Sequence, residues 1–160
     1  MRIAVFGRNI TPVFYDSLKR LFTILHLHGV EVTVYRPFLE YMRSEINFDP
    51  KTITDFSNHK ELRNVDFFFS IGGDGAFLEA ISLVRDSGIP MVGINSGRLG
   101  FLADVAQQEL ESALDRFFAE QTRAFRPFRL LNKNLNHSFP VVQKYVLPDT
   151  YRKAFRIRLR

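Results

Sequence analysis

Short, almost uniformly apolar runs alternate along this chain with longer segments whose apolar residues recur every three or four positions. The apolar runs have the length and composition of buried strands. A strand that is apolar on both faces must be covered on both sides, which is typical of parallel sheets. The pattern therefore predicts an α/β fold, a Rossmann-like parallel sheet with helices on both faces, whose strands lie at 2–6, 31–35, 66–71 and 90–94.

Four segments have the apolar spacing of amphipathic helices. The first begins with Thr11 as a capping hydroxyl and Pro12 at the first helical position. Gly29 and Gly88 mark the ends of the first and third helices. We expect the helices at 12–29, 37–46, 76–87 and 110–118, and a polar loop at 47–60.

The positive charge of the chain is concentrated in its last part. Residues 124–160 contain nine Lys/Arg and one acid, whereas residues 1–123 contain thirteen Lys/Arg and sixteen acids. The net charge of +5 therefore does not favour nucleic-acid binding by the whole protein. We place a domain boundary near residue 123, with an α/β domain at 1–123. We expect residues 124–160 to be a short irregular or β-type segment, either a basic tail or the remnant of a second β domain.

The composition also restricts the chemistry and the compartment. The chain has no cysteine, which excludes disulfides, thiolate metal sites and a cysteine nucleophile. No apolar run approaches the ~18 residues of a membrane span, and the run at the amino terminus is too short for a signal peptide. We expect a soluble, cytoplasmic protein without a membrane partner.

A glycine-rich turn, Gly-Gly-Asp-Gly at 72–75, lies between the third predicted strand and its helix. Glycines let the backbone approach a ligand, and a helix N-terminus favours phosphate. The turn is neither GxGxxG nor a P-loop, since no lysine occurs between Lys60 and Lys133. Asp74 beside phosphate is unfavourable unless it takes a proton from an attacking hydroxyl or holds a bridging Mg²⁺, both features of phosphoryl transfer. The alternative is that Asp74 only caps the helix.

A second glycine-containing turn, within GINSGRLGFLAD at 93–104, follows the fourth predicted strand. Ligands of such folds bind at the carboxyl ends of the strands, where both turns lie. Together, IGGDGAFL and NSGRLGFL resemble the motifs of NAD kinases. A Gly-Gly-Asp-Gly turn is also found in diacylglycerol kinases, sphingosine kinases and phosphofructokinases, whereas the second motif is more specific. The resemblance covers residues 1–123.

The resemblance implies transfer of the γ-phosphoryl group of ATP, or of polyphosphate in some members, to the 2′-hydroxyl of the adenosine ribose of NAD. It implies a divalent metal such as Mg²⁺, a homo-oligomer, and Asp74 as the general base on that hydroxyl. No residue of this chain is assigned as a metal ligand. The residues it places beside the substrates are Gly72, Gly73, Gly75, Phe77, Leu78, Asn95, Gly97, Arg98 and Gly100.

Three of these residues have a simpler alternative role. Phe77 is also suited to core packing on its helix, and Arg98 to a solvated surface position. Asn95 is also suited to capping its own turn.

Two departures from the family pattern stand out. Ala76 occupies a position where the family usually has threonine or asparagine, so that a hydrogen bond of about 0.5–1.5 kcal/mol is lost. The family continues into a mostly β domain with an Asn-Glu or Asn-Asp pair. The segment 130–139 has only Asn132-Lys133 and Asn134-Leu135. We expect the chain to follow the family to about residue 123 and then to diverge, by truncation or a changed reading frame.

Two other functions are left open by the sequence. One is a lipid or sphingoid kinase-like protein that shares the first turn. The other is a non-catalytic nucleotide-binding fragment with a basic tail. A further alternative is an NAD kinase chain that is inactive without the second domain.

Overall fold

Five parallel strands form one sheet in the order β3-β2-β1-β4-β5. They are seen in a computed structural model that describes residues 1–51, 54–97 and 105–122, with side chains as far as Ala119. The predicted segment 124–160 lies outside the described residues. The strands are β1 (Arg2–Gly7), β2 (Glu31–Tyr35), β3 (Thr54–Phe56), β4 (Phe67–Ile71) and β5 (Met91–Ile94).

Helices cover both faces of this sheet, which confirms the predicted α/β class. The apolar side chains of the first, second and fourth helices pack in one cluster with one face of the strands. The third helix packs against the opposite face in a second cluster. The helices are α1 (Tyr15–Leu27), α2 (Arg36–Glu45), α3 (Asp74–Val84) and α4 (Leu110–Thr122).

The strand order places a topological switch point between β1 and β4. The chain leaves β1 through α1, on one face, and leaves β4 through α3, on the other. The two strands are neighbours, with Gly7 opposite Ile71 at their carboxyl ends. In open α/β sheets the crevice at such a point is where ligands bind, because the two loops separate there.

The prediction of a loop at 47–60 was wrong in part. Residues 54–56 form β3, which pairs with β2 at the sheet edge, and His59–Glu61 is a 3₁₀ turn. Only Phe56 of this strand is buried, so its sequence lacks the apolar run that marks the other strands. The Thr54 hydroxyl lies 3.0 Å from that of Thr33 on β2.

Two helix starts differ from the prediction. Thr11 and Pro12 lead into a 3₁₀ turn, Pro12–Phe14, and α1 begins only at Tyr15. The Thr11 side chain makes no capping hydrogen bond. Helix α3 begins at Asp74 instead of residue 76, so the second half of the glycine-rich turn is already helical.

The predicted ends of these helices agree with the structure to different degrees. Gly29 lies just after α1 with φ +64°, as expected for a glycine that ends a helix. Helix α3 ends earlier than predicted, at Val84, and Arg85 leaves it with φ +49°. Gly88 lies in the loop beyond, with φ +74°.

Candidate functional site

The first glycine-rich turn lies at the carboxyl end of β4, where the chain turns into α3. Gly72 is buried and has φ +147°, a conformation that side-chain-bearing residues rarely adopt. Gly73 is the extended residue that precedes the helix, and Asp74 is the first helical residue. The first N–H groups of a helix have no intrahelical acceptor, so the turn presents donors toward the switch point.

Asp74 lies at the N-terminus of α3, as its first helical residue. The structure records no side-chain cap on α3, and the preceding position is taken by Gly73. The side chain is half-buried, and its place in the first turn of α3 stabilises a negative charge through the helix dipole. The N-cap position itself is therefore occupied by Gly73, one residue before Asp74.

The second turn is tied directly to the first. The Gly72 N–H donates to the Ile94 carbonyl, at 2.9 Å, so the ends of β4 and β5 stay in register beyond the strands. Asn95 is 2% exposed, and its Oδ1 accepts a hydrogen bond from the Gly97 N–H at 2.9 Å. Asn95 thus caps its own turn, as its alternative role predicted.

A third loop, between β1 and α1, joins the two turns at the same edge of the sheet. The Thr11 hydroxyl donates to the Ser96 carbonyl, at 3.1 Å. The Gln107 amide donates to the Val13 carbonyl, at 2.9 Å, and approaches the Ser17 hydroxyl to 3.1 Å. Three loops from β1, β4 and β5 are therefore held together by hydrogen bonds around the switch point.

Replacing Thr11 by valine is expected to lower the free energy of unfolding by about 0.5–1.5 kcal/mol, because the cross-loop hydrogen bond to Ser96 is lost. Urea unfolding followed by circular dichroism measures the change. Thr23→Val is the matched control, since that hydroxyl bonds only the Lys19 carbonyl within its own helix. Equal losses in the two variants would show that the link to Ser96 contributes nothing specific.

The same loop carries Arg8, whose guanidinium forms an ion pair with Glu79 of α3. Arg8 Nε donates to Glu79 Oε2 at 3.0 Å, and Nη2 bonds the other carboxylate oxygen. These hydrogen bonds hold the pKa of Glu79 below its usual value and raise that of Arg8, so the pair is charged at neutral pH. The side chains are 48% and 40% exposed, so the pair borders solvent.

Phe77 and Leu78, which the resemblance placed beside the dinucleotide, differ in position. Phe77 is 2% exposed and belongs to the core cluster beneath α3, in line with its packing alternative. Leu78 is 51% exposed on the same helix. Arg98 and Gly100, the other two predicted contacts, lie outside the described residues.

Sequence reasoning missed the loop after β1. Arg8 has no motif around it, and Thr11 was interpreted only as a helix cap. The place of both residues at the edge follows only from the strand order. Placing β1 beside β4 was the missing step, because it brings the chain after Gly7 next to the glycine-rich turn. No local signal in the sequence shows that pairing.

Ser70 is a buried polar residue directly before the first turn. It is 1% exposed, and its hydroxyl has no hydrogen-bond partner among the described residues. Replacing Ser70 by alanine is expected to leave the free energy of unfolding unchanged or to raise it by up to about 1 kcal/mol, since an unpaired buried hydroxyl is removed. A loss above 1 kcal/mol in urea unfolding would show that the hydroxyl is hydrogen-bonded in solution.

In the described part of the chain, no group of three or more His, Asp or Glu side chains is placed to hold a metal ion. The described helices also include none that is both long and apolar enough to cross a membrane.

The strand order and the loops at the switch point define a Rossmann-like α/β domain with a glycine-rich turn at the carboxyl edge of its sheet. Its residues 3–122 match the family model described as the ATP-NAD kinase N-terminal domain. The chain belongs to this family, which confirms the resemblance seen in the two motifs.

Curated relatives agree with this assignment. The NAD kinase of Bacteroides fragilis is 37% identical over 118 residues, which are 74% of this chain and 40% of that protein. The NAD kinase of Flavobacterium psychrophilum is 41% identical over 115 residues, 71% of this chain and 39% of that protein. The chain thus spans about two fifths of the length of these relatives.

A solved structure shows the same fold. Yeast NADH kinase, crystallised with NADH, superposes with a TM-score of 0.62 over 74% of this chain and 36% of that one. Sequence identity is 19%, so the likeness concerns the fold.

Proposed function

We propose that this chain provides the catalytic half of an NAD kinase, transferring the γ-phosphoryl group of ATP or polyphosphate to the 2′-hydroxyl of the adenosine ribose of NAD. The observation that carries the proposal is the hydrogen bond between Gly72 and Ile94. It joins the two family motifs at the carboxyl edge of the sheet, beside the N-terminus of α3. The family match and the relatives named NAD kinase support the same reaction.

In this proposal Asp74 accepts the proton of the ribose hydroxyl as that oxygen attacks the γ-phosphorus, while the bond from the γ-phosphorus to the bridging oxygen breaks and ADP leaves. Its position in the first turn of α3 keeps the carboxylate charged and close to the donors that bind phosphate. Gly72, Gly73 and Gly75 let the backbone approach the phosphates. Gly97 and the buried Asn95 shape the adjoining loop.

Four other residues are part of the proposal, two on the motif alone and two on their position in α3: Arg98, Gly100, Phe77 and Leu78. Arg98 and Gly100 rest on the motif alone. The exposed Leu78 offers an apolar contact to a bound nucleotide, whereas the buried Phe77 acts by supporting α3 from below. The alanine at 76 leaves the position of the family's hydroxyl or amide apolar.

The donor set at the turn fits a Mg²⁺ ion that arrives with the substrate. Mg²⁺ keeps several waters and binds through one or two carboxylates and substrate phosphates, in place of a protein cage. Asp74, the carboxylate of the turn, is kept as the base, so the substrate phosphates and waters would hold the ion. The ion would neutralise charge that develops on the phosphoryl oxygens.

The assembly of the active protein is also part of the proposal. We propose a domain boundary near residue 123, supported by the end of the family match at residue 122. We further propose a homo-oligomer in the cytoplasm, as the resemblance implies. The dinucleotide then binds between this domain and a second one.

The test is formation of NADP by the purified chain incubated with NAD, Mg²⁺ and either ATP or polyphosphate. A parallel reaction adds the part of the Bacteroides fragilis relative that lies beyond the matched segment. NADP in either reaction supports the proposal. Phosphorylation of sphingosine in place of NAD would support the lipid-kinase alternative, and no product in any reaction would leave a nucleotide-binding fragment.

A further inference from the structure

Arg8 lies at the topological switch point, in the loop that follows β1, the strand beside β4 and its glycine-rich turn. It follows Gly7, which pairs with Ile71, so its backbone lies beside Gly72. Its side chain lies on the same face of the sheet as α3, because it contacts Phe6, a member of the core cluster under that helix. The cation therefore borders the crevice where the fold binds ligands.

Contacts on two sides hold the guanidinium of Arg8 in place. It lies 5.4 Å from the ring centroid of Tyr35 and 5.9 Å from that of Phe6, within range of cation–π attraction. The Glu79 carboxylate binds it through two hydrogen bonds. A guanidinium has five N–H donors, so this pair leaves three for another acceptor.

The glycine-rich turn has no cation of its own. Residues 71–78 include the negative Asp74 and no Lys or Arg. Phosphate groups bound next to that carboxylate need positive charge to offset the repulsion, and phosphoryl-transfer sites supply it with Arg, Lys or Mg²⁺. Among the residues that the structure describes, Arg8 is the cation that forms an ion pair with a side chain of α3.

We infer that Arg8 binds a phosphate group of the nucleotide in this crevice, and that Glu79 holds the guanidinium ready when no nucleotide is bound. This inference rests on the proposed function, because it takes a nucleotide to be the ligand. Arginine suits the role because its planar fork makes paired hydrogen bonds to phosphate. Glu79 lies five residues after Asp74, about 7.5 Å along the axis of the same helix.

Arg8 and Glu79 have different roles if Arg8 binds phosphate, and the same role if their ion pair is purely structural. If Arg8 binds phosphate, its loss weakens nucleotide binding, whereas loss of Glu79 removes a competing anion. If the pair only ties the β1–α1 loop to α3, either loss has the same effect.

The experiment measures the binding of ATP and, separately, of NAD to the full 160-residue chain by isothermal titration calorimetry. The variants are Arg8→Met, Arg8→Lys and Glu79→Gln. We expect Arg8→Met to weaken binding of at least one ligand about tenfold or more, as loss of a charged hydrogen bond does. Arg8→Lys is expected to retain part of the affinity. Glu79→Gln is expected to bind as tightly as the parent chain or more tightly.

The ligand that loses affinity tells whether Arg8 binds the triphosphate of ATP or the pyrophosphate of NAD. Equal weakening in Arg8→Met and Glu79→Gln would overturn the inference in favour of a structural tie. Unchanged binding in Arg8→Met, or no binding of either nucleotide by the parent chain, would overturn it as well. Thermal unfolding of each variant shows whether it is folded. If Arg8→Met does not fold, the comparison of Arg8→Lys with Glu79→Gln decides between phosphate binding and a structural tie.

A measurement of NADP formation by the parent chain distinguishes failure of the proposed kinase reaction from failure of the proposed phosphate binding by Arg8. If NADP is formed and Arg8→Met binds like the parent, the proposed function stands and the role of Arg8 does not. If binding depends on Arg8 and no NADP is formed, even with the second part of the relative added, the phosphate site stands and the kinase reaction does not.

Discussion

Replacing Asp74 by asparagine is expected to lower NADP formation by a factor of about 10²–10⁴, because general-base catalysis contributes that much and an amide cannot accept the proton. Asparagine has nearly the same shape, so the turn and the N-terminus of α3 are retained. The measurement is the initial rate of NADP formation from NAD, ATP and Mg²⁺ under the condition in which the parent is active.

The matched control is Asp86→Asn, which removes an exposed carboxylate just beyond the other end of α3. Its rate is expected to equal that of the parent, so a loss confined to Asp74→Asn cannot come from net charge alone. Retained ATP binding in Asp74→Asn would place the defect in the chemical step. A rate within threefold of the parent would exclude Asp74 as the base.

Replacing Gly72 by alanine is expected to lower the free energy of unfolding by about 2–4 kcal/mol. Two effects add. The φ of +147° is strained for any residue with a side chain, and an added Cβ would lie 2.5 Å from the Cβ of Ala76. The neighbouring helix turn would have to shift, and with it the hydrogen bond from Gly72 to Ile94. Urea unfolding measures the loss.

Gly75→Ala is the control for this variant. Gly75 is helical, and a Cβ there would meet no atom within 4 Å. Its unfolding free energy is expected to rise by about 0.5–1 kcal/mol, because alanine is the better helix former. If Gly72→Ala were as stable as the parent, the turn would have a different backbone conformation in solution.

The sequence predicted the elements whose burial is nearly complete. The strands at Phe67 and Met91 are marked by continuous apolar runs, because a strand covered on both faces is apolar throughout. The apolar face of α1 is marked by its helical period. The edge strand at Thr54 was missed, since one buried residue in three makes no pattern. The early start of α3 at Asp74 was missed because glycine and aspartate are typical of turns.

For the site, the two glycine motifs predicted which loops lie at the carboxyl edge. They did not predict Arg8 or Thr11, which reach the site through the pairing of β1 with β4. That pairing depends on the tertiary fold, in which Gly7 lies opposite Ile71, and no short stretch of sequence carries it. The burial of Phe77 was foreseen as an alternative, since the same spacing serves a core and a ligand contact.

The pairing of β1 with β4 also determines when the site can form during folding. Arg2 donates its N–H to the Asp66 carboxylate, across 64 residues of chain. Closing so long a loop costs entropy before any contact is gained, and non-local pairing of this kind slows folding. On the ribosome, β1, α1 and β2 emerge well before β4, so the crevice cannot exist until more than seventy residues have been synthesised. The candidate site is therefore expected to form late in folding, when β4 pairs with β1.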